Sequence, residues 1–133
     1  CYAVSSSYRA DKDRGIVSNY VGTTPERAQE SLDVLMSEIH RINEGNVTDE
    51  ELSRAKTGLK SRLIFSGEST GARAGAIAAD MLNLGRPRTL EEVIEKVTSI
   101  EIDELNTYLR RRKIGKPTIQ TLGPDALLPP AVS

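Results

Sequence analysis

Apolar and polar residues alternate along the first eight positions. Tyr2, Val4 and Tyr8 fall on one side of an extended chain, with Ala3, Ser5 and Ser7 on the other, which predicts a strand over Cys1–Tyr8. The polar stretch Arg9 to Arg14, closed by Gly15, reads as a hairpin loop, and Ile16–Val21 as a second strand ending at Gly22. Strands joined this way pair antiparallel.

Beyond Gly22 the spacing becomes helical. Thr24-Pro25 opens a helix, with Thr24 as the cap and proline at the first position, where it loses no hydrogen bond. Leu32, Leu35, Ile39 and Ile42 form its apolar stripe, and Gly45 ends it. Thr48-x-x-Glu51 is a capping box for a second helix, with Leu52, Ala55, Leu59 and Leu63 on one face and a break at Ser66-Gly67. A third helix, Ser69 to Leu84, is rich in Ala72, Ala74, Ala76, Ala78 and Ala79. Small residues on all sides suit close neighbours, so this helix is expected to be largely buried, and Gly85 and Pro87 stop it. Thr89-x-x-Glu92 is another capping box before Val93, Ile94 and Val97, and a last helix covers Ile102–Arg112. Pro117–Leu122 reads as a third strand before Gly123-Pro124, and the tail over 125–133 is expected to be loose.

Strands first, helices bunched and a closing strand give an α+β fold, an antiparallel-rich sheet covered by several helices. Three strands are few for so many helices. With Cys1 leading straight into a strand, the chain reads as a piece of something longer, truncated at its first strands. Residues 1–124 are taken as part of one domain.

Composition narrows the function more than it names one. The 38% apolar and 28% charged content is that of a folded domain, and a net charge of −1 provides no global field towards nucleic acid or an anionic membrane. No apolar run approaches the roughly 20 residues of a membrane span. With Cys1 alone there is no intrachain disulfide, and the compartment stays open, the cytoplasm being favoured over the periplasm.

A hydrolytic zinc needs about three protein ligands and an open position for water. The chain has one histidine, His40, with Glu44 a turn on and no second histidine to complete a site, so His40 reads as a helix-surface residue near a C-terminus. No G-x-S-x-G elbow accompanies it, and this sequence shows no loop or helix N-terminus before Cys1 to lower the pKa of its thiol. No phosphate-binding loop is present; Ser66-Gly67-Glu68-Ser69-Thr70-Gly71 lacks the lysine and reads as an interhelix turn. Arg110-Arg111-Arg112-Lys113, with Lys116, sits at a helix C-terminus without interleaved aromatics, which favours a dipole-offsetting role over nucleic-acid binding. Arg73 is expected to pair with Glu68 and Asp80.

The order of motifs resembles the second half of a pitrilysin/insulinase-family domain, from Tyr2 to Pro124. The pieces are Cys1-Tyr2-Ala3-Val4-Ser5-Ser6, Thr24-Pro25-Glu26, and Val47 to Lys56 with its Thr48, Glu51, Leu52, Ala55 and Lys56. Glu68 to Ala74, Leu84-Gly85-Arg86, Thr89-Leu90-Glu91-Glu92 and Thr121-Leu122-Gly123-Pro124 follow. The resemblance implies long helices on an antiparallel-rich sheet, a two-layer sandwich of the metallohydrolase type. In that family homologous domains pair around a peptide, and zinc sits on an H-x-x-E-H helix of the amino-terminal domain. This chain lacks that motif. Its absence fits either the tail of an inactive domain or the tail of a catalytic domain cut after its zinc helix. The start of the chain, at Tyr2, resembles the carboxy-terminal, inactive type, which implies no cofactor here and zinc on a partner domain or subunit.

Family domains of this type carry an Arg and, seven residues later, a Tyr that reach the substrate backbone. Tyr2 matches that Tyr, and the matching Arg falls before residue 1. In that role the Tyr2 phenol would donate a hydrogen bond to a peptide carbonyl or oxyanion; equally, Tyr2 is a strand residue whose ring packs on a helix. The implied function is the non-metal part of a zinc endopeptidase, enclosing peptide substrate beside a homologous zinc-binding domain or subunit. The alternatives are a structural subunit of the same fold and an unrelated α+β binding module. Exposed sheet edges also predict self-association.

Overall fold

A computed structural model describes residues 1–11, 14–112 and 116–128. Two strands, a short 3-10 turn and five helices follow one another: β1 (Ala3–Asp11), β2 (Arg14–Gly22), the turn Pro25–Arg27, α1 (Ala28–Asn43), α2 (Asp49–Gly67), α3 (Thr70–Leu84), α4 (Leu90–Thr98) and α5 (Ile102–Arg111). This is an α+β chain with an antiparallel sheet. It divides into two compact units, one made of Cys1–Glu44 with Arg112–Ser133, the other of Gly45–Arg111.

In the first unit β1 and β2 pair antiparallel from Ala3 opposite Gly22 to Asp11 opposite Arg14. The strands run further than alternation suggests. Arg9–Asp11, expected in the loop, belong to β1, because the backbone ladder continues after the apolar side chains stop. Lys12 and Asp13 lie outside the described residues. Val4 faces Val21 and Tyr8 faces Val17, so Tyr2, Val4, Tyr8, Val17 and Val21 share one face of the hairpin. The expected third strand does not form: Pro117–Leu122 joins no ladder, and among the described residues the sheet is β1–β2. An apolar run becomes a strand only where another strand's backbone is there to meet it.

The start of α1 also differs from expectation. Thr24 gives no side-chain cap; its carbonyl accepts from the Arg27 amide at 3.1 Å, closing a 3-10 turn before the α-helix begins. The Thr24 hydroxyl lowers the Glu26 carboxyl instead. Leu32, Leu35 and Ile39 of the expected stripe are half-buried and Ile42 is exposed, while the buried residue of α1 is Met36, which the stripe did not include, only 7% exposed.

In the second unit both capping boxes form. Thr48 accepts from the Glu51 amide at 3.3 Å while Glu51 Oε2 accepts from the Thr48 amide at 2.9 Å. Thr89 and Glu92 do the same at 3.1 and 3.0 Å. Ser69 caps α3 through the Ala72 amide at 3.3 Å, and Gly85, at φ 74°, ends it in the left-handed region. α2 contacts both α3 and α4. α5 is fixed to the start of the unit by Asn106, which donates to the Val47 carbonyl at 2.9 Å and accepts from the Val47 amide at 3.1 Å. Leu109 of α5 is 6% exposed.

α3 overturns one expectation. From Thr70 to Ala79 every residue is exposed, and Ile77, Met81, Leu82 and Leu84 are exposed too. Alanine and glycine offer a neighbour little apolar area, and small size permits close packing without providing the element to pack against. Among the described residues, only α2 contacts α3 extensively.

Candidate functional site

Tyr2 stands just ahead of β1, its amide donating to the Gly22 carbonyl at 2.7 Å, which continues the ladder by one bond. Its side chain is 81% exposed. A ring packed on a helix would be covered, and among the described residues nothing covers this one to that extent. Val4 and Tyr8 on the same face are exposed as well, giving an uncharged surface along the hairpin with the Tyr2 hydroxyl at its end.

The remaining candidates settle into local roles. His40 is half-buried in the last turn of α1, where its carbonyl accepts from the Glu44 amide at 3.0 Å. Cys1 is exposed, with its Sγ 3.7 Å from the Ser31 hydroxyl. Arg110 reaches the Gly45 carbonyl at 3.5 Å and the Thr107 hydroxyl at 3.3 Å, a structural use of the basic run at the end of α5. Lys113 lies outside the described residues.

The pairing expected of Arg73 belongs to another arginine. Asp80 is bound by Arg88, with Nη2 2.7 Å from Oδ1 and the Arg88 amide 2.9 Å from Oδ2. Arg88 lies beyond the αL glycine that ends α3, where the reversed chain brings its side chain and its amide back to Asp80 together; Arg73 has only its side chain to offer. These hydrogen bonds hold the Asp80 carboxyl below the ordinary carboxylate range, and Asp80 in turn raises the Arg88 guanidinium. Two residues earlier, Arg86 spans both oxygens of Glu92 at 3.2 and 3.1 Å, which with the Thr89 amide lowers the Glu92 carboxyl. Sequence reasoning missed both pairs. Their trace was Arg86-Pro87-Arg88, two arginines flanking a proline between two helices.

No group of three or more His, Cys, Asp or Glu among the described residues is arranged to hold a metal ion. The donors do not fit a zinc: His40 and Cys1 are the chain's whole supply of nitrogen and sulfur ligands, and the paired carboxylates are committed to Arg86 and Arg88.

Residues 1–59 match the family model of the Peptidase M16 inactive domain. Over those residues the chain is similar to that family, the pitrilysin/insulinase peptidases. The similarity to individual relatives extends further along the chain. A zinc protease of Bacillus subtilis is 23% identical over 96% of this chain and 31% of its own length. One from Streptomyces coelicolor is 24% identical over 92% of the chain and 27% of its own length. The mitochondrial-processing peptidase subunit beta of Saccharomyces cerevisiae is 30% identical over 94% of the chain and 27% of its own length. The chain thus spans less than a third of the length of these relatives. The M16 match agrees with the resemblance carried by the sequence motifs, down to the inactive type of domain.

Proposed function

We propose that this chain is the non-metal side of a zinc-dependent endopeptidase. It helps enclose and position a peptide while hydrolysis takes place at a zinc held by a homologous domain or subunit. The observation that carries this reading is the inactive-domain match over residues 1–59, joined to relatives named as zinc proteases along almost the whole chain. Tyr2 is the residue assigned to the substrate. Its strand position is fixed by the bond to Gly22, and its exposed phenol is free to donate to a peptide carbonyl or to the oxyanion formed during attack.

The test uses the complete protein with any homologous partner subunit, a quenched peptide library, and a chelator. Chelator-sensitive hydrolysis that falls about a hundredfold in kcat on Tyr2→Phe, with the melting temperature unchanged, is the expected result. Hydrolysis by this chain alone with added zinc would overturn the reading. No hydrolysis by the complete assembly would transfer the chain to a structural role in the same fold.

A further inference from the structure

The first unit contains one long-range contact that neither the helix pattern nor the proposed peptidase role requires. Gln29, in the first turn of α1, binds the backbone of Leu128, a residue 99 positions away in the sequence. The Leu128 amide donates to Gln29 Oε1 at 2.8 Å, and Gln29 Nε2 donates to the Leu128 carbonyl at 3.3 Å. A primary amide facing both backbone groups of one residue copies what a neighbouring strand would offer. Its orientation is set by Asp33, one turn on, whose Oδ1 accepts from the same Nε2 at 3.0 Å. A carboxylate only accepts, so Asp33 selects the NH2 end of the amide and leaves Oε1 for the Leu128 amide. Leu127, next to the clipped residue, is half-buried, while Leu128 itself is exposed, so the clip holds Leu128 by its backbone and not by its side chain.

We infer that Gln29, oriented by Asp33, is a latch that holds the segment around Leu128 against the start of α1. The occupant is the chain's own segment Ala126-Leu127-Leu128. Because the latch reads backbone groups, it tolerates any side chain at position 128 except proline, which has no amide hydrogen. Asp33 is a positioning residue: it touches Gln29 and fixes which end of the amide meets which backbone group. The exposed setting, with two hydrogen bonds and one half-buried leucine, makes the latch one that opens by itself and is biased by anything that competes for Gln29.

The test is the rate at which a non-specific protease cuts residues 124–128 in the intact chain, followed by mass spectrometry, with far-ultraviolet circular dichroism to verify the helices. Gln29→Ala and Leu128→Pro are each expected to speed cleavage by about three- to tenfold, the worth of a hydrogen bond or two. The double variant is expected to be no faster than either single, since both break the same latch. Asp33→Ala, which frees the amide to turn over, gives a smaller rise. Unchanged cleavage in Gln29→Ala, or effects that multiply in the double variant, would overturn the latch. If Gln29→Ala disturbed α1, Leu128→Pro alone, which alters only the segment, still decides it through the same cleavage rate.

Discussion

Arg88 reaches Asp80 through three nitrogens: its amide 2.9 Å from Oδ2, its Nε 3.1 Å from the same oxygen, and its Nη2 2.7 Å from Oδ1. The Asp80 side chain is only 13% exposed, so water replaces little of this if it is broken. The link ties the last turn of α3 to the residue just before the cap of α4, across the reversal made at Gly85. Asp80→Ala and Arg88→Ala are each expected to lower the melting temperature by a few degrees while leaving total helicity nearly unchanged. Arg88→Lys is expected to rescue little, because an ammonium lacks the planar fork. Full rescue by lysine in thermal melts would show that charge alone matters here.

Acid should undo this link in a defined direction. Asp80 and Glu92 both titrate below the ordinary carboxylate value in the folded chain, held there first by Arg88 and Arg86 respectively. A carboxyl whose folded value is depressed stabilises the fold above its unfolded value, about pH 4, and loses that contribution as pH falls through the folded value. Urea midpoints are therefore expected to be flat between pH 7 and 5 as far as these groups are concerned, and to fall below about pH 4. The Asp80→Asn variant should show a shallower acid loss than the parent sequence; an identical slope in both would remove Asp80 from the account.

Gly45 is a second point where the chain permits little change. It is buried, its φ is 71°, and a Cβ there would lie 2.5 Å from the Asn106 carbonyl oxygen. Gly45→Ala thus meets both a left-handed backbone and a backbone atom that cannot step aside. The backbone conformation alone costs about 1–2 kcal/mol, and the clash adds to it. Asn106→Ala, which leaves the Val47 amide and carbonyl without their side-chain partner, is expected to cost about 1–3 kcal/mol. Denaturant titration checks both, and a Gly45→Ala chain as stable as the original would mean that α5 shifts freely.

Features fixed within a few residues of sequence were legible in advance. Thr48 with Glu51, and Thr89 with Glu92, announce helix starts because both partners of the capping box lie in one turn. The hairpin was legible because alternation and a glycine stand next to each other. The expected burial of α3, the strand at Pro117–Leu122 and the partner of Arg73 each depended on what stands opposite, which local sequence does not encode. Asp80 had arginines on both sides in sequence, and the turn at Gly85 decided in favour of Arg88. Tyr2 was legible as a candidate through the family pattern, whereas the clip at Gln29 has no local signal, since its partner is 99 residues away.

The hairpin carries its own prediction. Tyr2, Val4, Tyr8 and Val17 are exposed on one uncharged face, and a two-stranded sheet has open backbone on both edges. The isolated chain is expected to associate as its concentration rises, and Val4→Lys with Val17→Lys to suppress this by placing positive charge on that face. Light scattering over a concentration series checks it; a monomer throughout would show that the exposed face is inert.

Four residues, Thr24, Thr48, Ser69 and Thr89, sit where a helix cap belongs, and the structure separates them. Thr48, Ser69 and Thr89 each accept a backbone amide through the side chain. Thr24 accepts none, and its hydroxyl lowers the Glu26 carboxyl instead. Alanine at 48 or 89 removes one hydrogen bond from a first-turn amide and frees the reciprocal glutamate, at about 1 kcal/mol each. Alanine at 24 leaves every backbone amide with the partner it had, so its cost is expected to stay within about 0.5 kcal/mol. It does remove the hydroxyl that lowers the Glu26 carboxyl, so Glu26 should titrate at higher pH in Thr24→Ala. Stability from urea titration and the Glu26 carboxyl shift by NMR together separate the two kinds of threonine. A loss at position 24 equal to that at position 48 would mean that the 3-10 turn gives way to a conventionally capped helix in solution.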